Sequence, residues 1–164
     1  MTAKDAIRLG LDMGDRITGH YLGDLNDADL LVRPVPGMNH IAWQLGHLIA
    51  VENHYVELIE PGACPKLPEG FVAAHHGKAS SEVDDPKTFH TKDEYLALLK
   101  AQREATRKVL DALPESRLAE TNPEKYPHYA PSVGELLSFC SVHLLTHVGQ
   151  WVAVRRMLGK PVAI

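Results

Sequence analysis

Residues 132–160 read SVGELLSFCSVHLLTHVGQWVAVRRMLGK, and the fold is read outward from this stretch. Ser132 followed by Glu135 is a capping box: the hydroxyl takes the third free backbone N–H of a helix, and the carboxylate reaches back to the serine N–H. Behind it, Leu136, Cys140, Leu144 and Val148 recur at helical spacing, with Leu137, Val152 and Leu158 on the flanks. Gly159 and Pro161 end the helix. His143 and His147 lie one turn apart inside it, so both imidazoles point the same way. Their neighbours Leu144, Leu145, Val148 and Trp151 do not describe a solvated face. Imidazoles on a mostly apolar helix need partners, because an unpaired buried polar group costs about 1–3 kcal/mol. A shared metal ion would satisfy both, and so would hydrogen bonds in a core; the stretch alone leaves the two readings open.

Three more helices precede it. The first is expected over about Ala3–Leu22, opened by Thr2 and Asp5 in a capping-box arrangement. Gly10 and Gly14 sit on or beside its apolar stripe, which suggests close approach of another backbone or else a weak helix. The second is expected from an Asn39 cap to about Glu60, before Pro61–Gly62. It carries His40, His47 and His54 at intervals of seven, nearly two turns, so the three share a face. His40 and His54 lie about 10 Å along the axis from His47, too far to share its ion; both are expected at the rim, partly exposed. His47 is the one placed to add a third imidazole from a second helix. Cys64 to Thr91 reads as an irregular crossover, with His75, His76 and His90 expected on its surface. Thr91 and Glu94 open the third helix, which Pro114 stops. The connection from Glu115 to Pro131 holds Tyr126, His128 and Tyr129, expected to pack at the surface or to reach a substrate.

Four helices of about twenty residues without a convincing strand indicate an all-α four-helix bundle, a single domain over residues 1–164. The net charge of −4, with no basic run, argues against a nucleic-acid partner. The N-terminus lacks the apolar core of a signal peptide, and no segment is read as a membrane span. Two cysteines make no disulfide framework, and the expected compartment is the cytoplasm. Cys140 reads as a small buried hydrophobe, with a fourth ligand or a reactive thiol as the sharper reading.

The segment DLNDADLLVRPVPGMNHIAWQLGHL, the crossover, the TKDEYLALL helix and the final stretch together resemble the DinB-like superfamily of bacterial metal-binding four-helix bundles. The resemblance covers nearly the whole chain. Its most specific parts are the GHL of Gly46–Leu48, the H-x-x-x-H-x-G-Q of His143 to Gln150, and Arg156–Gly159 after it. It implies that His47, His143 and His147 bind one divalent metal, zinc or nickel. It further implies up-down-down-up topology, with the crossover between helices two and three, and homodimers. Some relatives are thiol-dependent transferases or isomerases that use a low-molecular-weight thiol, and others are described as hydrolases. The expected function is therefore metal-dependent thiol transfer or hydrolysis on a small electrophilic molecule. The alternatives are a non-catalytic metal- or ligand-binding stress-response module and a structural dimerisation bundle. This chain departs from relatives at Leu144, where glutamate or glycine is common, and at Thr146 and Val148. With no glutamate after His143, an H-E-x-x-H mechanism has no support. Gln150 is expected near the ion or on the helix surface, and Trp43 and Trp151 in the core or against a pocket.

Overall fold

The computed structural model describes residues 1–123 and 130–162, and the described residues contain helices but no named strand. Four long helices dominate: α1 (Ala3–Leu22), α2 (Ile41–Ile59), α5 (Lys92–Ala112) and α6 (Val133–Met157). The crossover is less irregular than its prolines suggest. It folds into two short helices, α3 (Phe71–Ala74) and α4 (Gly77–Ser81), and a 3-10 turn at Pro86–Thr88. Further 3-10 turns occupy Asp29–Leu31 and Glu115–Ala119.

All three capping boxes form as the spacing predicts, at Thr2–Asp5, Thr91–Glu94 and Ser132–Glu135. The start of α2 differs from expectation. The cap is His40, not Asn39: its Nδ1 accepts the Trp43 N–H at 3.1 Å. The reason is tautomeric. His40 Nε2 lies 3.2 Å from the Val83 carbonyl, which can only accept, so Nε2 carries the proton and Nδ1 is left with a lone pair. His40 is thus fully buried rather than half-exposed at a rim. His54 is exposed, as expected.

The long helices touch through ordered pairs. Between α1 and α6, a Cβ at Gly10 would lie 3.0 Å from Ser141 Oγ, and one at Gly14 would lie 3.1 Å from Leu144 Cδ2. What comes close to the two glycines is thus side chains of α6, where another backbone was expected. Farther along, Arg155 Nη1 donates to the Tyr21 carbonyl at 2.7 Å and to Asp24 at 2.5 Å. Between α1 and α5, Arg8 pairs with Asp111, Arg107 with Asp12 and Asp15, and Arg103 with Asp15. Between α2 and α5, Asn53 bonds Gln102, and Thr106 donates to Glu52 at 2.6 Å. Between α2 and α6, Tyr55 meets Phe139 and His47 meets His143.

Two apolar clusters fill the interior. One centres on Tyr21, Leu45, Ile49, Tyr95, Leu144 and Trp151. The other centres on Leu11, Val56, Leu110, Leu137 and Cys140. A buried ionic layer joins α1, α2 and α5 between the two groups. Arg103, 1% exposed, stands 3.3 Å from Glu52 and 3.2 Å from Asp15, and donates to the Cys140 carbonyl at 3.2 Å. Burial raises the Glu52 pKa, against the lowering effect of Arg103 and the Thr106 hydroxyl.

By length and composition α6 could cross a membrane, although the sequence reading assigned no such span. In this structure its apolar face lies against α1, α2 and the Glu115–Ala119 turn.

The ionic layer yields a stability prediction. Truncating one partner of a buried pair leaves an uncompensated charge, at about 3–5 kcal/mol. Arg103→Met should lower the free energy of unfolding by that amount in urea titrations; a loss below about 1 kcal/mol, the scale of an exposed pair, would show that water reaches Glu52.

Candidate metal centre

α2 and α6 bring together His47, His143 and His147. One ligand nitrogen from each lies within 4.8 Å of the others. His143 Nε2 and His147 Nε2 are 3.2 Å apart. The His47 ring is 5.3 Å from the His143 ring and 5.6 Å from the His147 ring, centroid to centroid. A tetrahedral zinc with Zn–N bonds of about 2.0–2.1 Å separates two bound nitrogens by roughly 3.3 Å. The His143–His147 spacing fits that value, so the cluster is compatible with a divalent ion. Among the described residues, no carboxylate or thiol joins the three.

Hydrogen bonds fix which nitrogen two of the rings present. The Gln44 amide nitrogen donates to the Asn39 carbonyl at 2.6 Å, which settles the orientation of the amide. Its Oε1 then receives the Trp151 N–H at 2.8 Å and faces His147 Nδ1 at 3.0 Å. An amide oxygen only accepts, so His147 carries its proton on Nδ1 and offers the Nε2 lone pair. His47 Nδ1 lies 3.2 Å from the His75 carbonyl, and the same reasoning leaves its Nε2 free. Packing holds the ring planes. Trp43 stacks on His47 at 4.9 Å and 9°, and Phe139 stacks on His143 at 5.4 Å and 13°.

The rings are half-buried, and burial is the first cause of their low basicity. His143 falls to about 4 and His147 to about 3, with neighbouring imidazoles adding to the effect; His47 also shifts down. All three are neutral near pH 7, the state that ligates a metal.

Two partners of this cluster escaped the sequence reading. Gln44 is 1% exposed and lies one turn before His47, a spacing visible in the sequence. Nothing local says that it reaches across to α6. His75 was expected on the surface but is 1% exposed, against α2. Its position depends on the crossover's path, which no periodicity encodes. Gln150 is only partly buried, and the amide that bonds the cluster is Gln44. Cys140 lies in the second apolar cluster with its Sγ 3.5 Å from the Leu136 carbonyl, the buried-hydrophobe reading. Trp43 does wall the site, while Trp151 is core with a polar handle on Gln44. His76 is exposed and His90 half-buried. Tyr126, His128 and Tyr129 lie outside the described residues.

The sequence model of the DinB superfamily matches residues 11–151. The chain belongs to the DinB superfamily. A solved structure with a similar fold is the crystal structure of a conserved protein from Enterococcus faecalis. It shares 16% sequence identity with this chain at a TM-score of 0.71, covering 98% of this chain and 99% of that one. At that identity the likeness concerns the fold. No curated protein matches the sequence. Within the DinB superfamily assignment, the GHL and H-x-x-x-H segments are the ones that meet at the cluster.

The low basicity sets a pH dependence for metal-free protein. Unfolded histidines take up protons near pH 6.5, whereas the folded His143 and His147 resist until about pH 4 and 3. Their contribution to stability is therefore complete above about pH 6.5 and is lost as the pH falls toward 4. Urea midpoints of chelator-treated protein should decline across that window, and the decline should shrink in His147→Phe. Identical profiles for the two proteins would contradict the neutral-imidazole assignment.

Proposed function

We propose that this DinB superfamily chain is a divalent-metal-binding protein, with His47, His143 and His147 as ligands and zinc or nickel as the metal. The observation that carries the reading is the meeting of three neutral imidazoles from two helices, at least two of them with Nδ1 engaged and Nε2 free. The chain is read as one four-helix-bundle domain over residues 1–164, arranged up-down-down-up. The contact order supports this. Pairs between α1 and α6 rise together in number, as in Gly10–Ser141 and Tyr21–Arg155. Pairs between α1 and α5 and between α2 and α6 run oppositely, as in Arg8–Asp111 and Tyr55–Phe139.

The proposed activity is thiol transfer or hydrolysis on a small electrophilic molecule. A divalent ion held by His47, His143 and His147 as neutral imidazoles would keep its full charge and would supply Lewis acidity able to acidify a bound water or thiol. The chain's own residues bind and orient. Gln44 and the His75 carbonyl aim two of the ligand nitrogens, and Trp43 and Phe139 shield the flanks of the rings. Neither cysteine serves as the nucleophile: burial pushes Cys64 up to about 11 and Cys140 above the ordinary thiol range. The thiol therefore comes from outside, as a low-molecular-weight cofactor of the cytoplasm. The net charge of −4 fits a small-molecule substrate better than nucleic acid.

A structural role without metal is the competing reading. One contact favours it: at 3.2 Å, His143 and His147 can bond one another directly. Elemental analysis after mild purification separates the two. We expect about one zinc or nickel per chain, and none in His143→Ala. Full loading of that variant, or metal-free wild type that takes up neither ion, would remove the metal reading. A metal-loaded protein that transfers none of several cellular thiols to a generic electrophile would instead be the binding module.

We further propose a homodimer through the outer faces of α1 and α6. Leu9 and Met13 on α1 and Val142 on α6 are 49%, 44% and 56% exposed, apolar side chains that a second copy would cover. Sedimentation should give a dimer for wild type and a monomer for Met13→Lys/Val142→Lys; a monomeric wild type would contradict this.

A further inference from the structure

His75 belongs to no recognised motif, yet it is among the most enclosed polar side chains of the protein. Its ring lies directly on the α2 backbone at Gly46. A Cβ at Gly46 would fall 2.1 Å from His75 Cδ2 and 2.3 Å from Cγ, inside the ring's own volume. Glycine in a helix interior costs about 1 kcal/mol, and the ring is the neighbour that requires it here.

Both ring nitrogens are held. His75 Nδ1 donates to the Phe71 carbonyl at 2.7 Å, which leaves Nε2 to accept the Tyr95 hydroxyl at 2.7 Å. Tyr95 in turn accepts the His90 N–H at 3.3 Å. Tyr95 is fully buried on α5, so the ring is pinned between α2, α3 and α5. This anchorage places the backbone of residue 75, whose carbonyl faces His47 Nδ1 at 3.2 Å.

We infer that His75 is a positioning residue for the three-histidine centre: its ring, seated on Gly46 and bonded to Tyr95, sets the carbonyl that makes His47 present Nε2 to a metal ion. The inference rests on the metal reading above and gives the glycine of the GHL segment a physical role. Glycine at 46 admits the ring, and the ring brings the crossover against the ligand that follows one residue later. Outer partners of ligating histidines typically change metal affinity by about 10–100-fold.

The test is a zinc titration of the full chain against a chromophoric chelator, with melting of each metal-free protein measured in parallel. The variants are His143→Ala, Tyr95→Phe, Gly46→Ala and the double variant Gly46→Ala/His75→Ala. In the double variant the methyl at 46 occupies space left by the ring, so metal-free melting should recover relative to Gly46→Ala alone. Zinc affinity should nevertheless stay about 10–100-fold below wild type, and Tyr95→Phe should lie between the two. Affinity that returns with the melting temperature in the double variant would overturn the inference, because His75 would then be a packing residue only. If the double variant loses its helical signal, Tyr95→Phe decides, and wild-type affinity there would overturn it. Failure of the metal reading looks different: wild type binds no zinc, or His143→Ala binds it as wild type does.

Discussion

A single amide oxygen ties α2 and α6 together. Gln44 Oε1, on α2, meets both His147 Nδ1 and the Trp151 indole on α6, while the amide's nitrogen is spent on the Asn39 carbonyl. The amide cannot turn over without breaking all three contacts. The α2–α6 register, the His147 tautomer and the burial of Trp151 are thus one constraint expressed three ways. An apolar residue at 44 would leave two buried donors without acceptors, at about 1–3 kcal/mol each. The neutral amide also differs in kind from a carboxylate partner, because it orients the imidazole without adding charge to the site.

The remaining architecture serves that register at both ends. On one side α1 lies close enough to α6 that a Cβ at Gly14 would press on Leu144 Cδ2 at 3.1 Å. On the other, α5 packs on α2 through the buried Glu52–Arg103 pair and the Asn53–Gln102 bond. The crossover closes the third side. Arg33 donates to the carbonyls of Ser81 and Val83, the Trp43 indole donates to Ser80, and His75 packs on Gly46. A segment read as a plain connection is therefore part of the wall behind His47.

Much of this was legible in the sequence where a pattern repeats over a turn or more. The three capping boxes fix three helix starts to the residue, and His143 with His147 reads as one face of α6. Spacing by seven lets only one of His40, His47 and His54 meet a given point on a neighbour, and the resemblance at the GHL segment is what singled out His47. The features that escaped depend on contacts distant in sequence. His40 displaces Asn39 as the cap because Val83, forty-three residues later, takes the proton of its other nitrogen. His75 is buried because Gly46 and Tyr95 make a slot for it, and neither residue advertises a slot by itself. Gln44 sat in view one turn from His47, but its partner lies 103 residues away.

The central claim is that imidazoles from α2 and α6 share one cation through Nε2. X-ray absorption on protein loaded with one equivalent of zinc tests it most directly. The account predicts three imidazole scatterers at about 2.0–2.1 Å, no sulfur at bonding distance, and loss of imidazole scattering when His47 is replaced by alanine. A sulfur ligand at about 2.3 Å, or a first shell unchanged by that replacement, would contradict it.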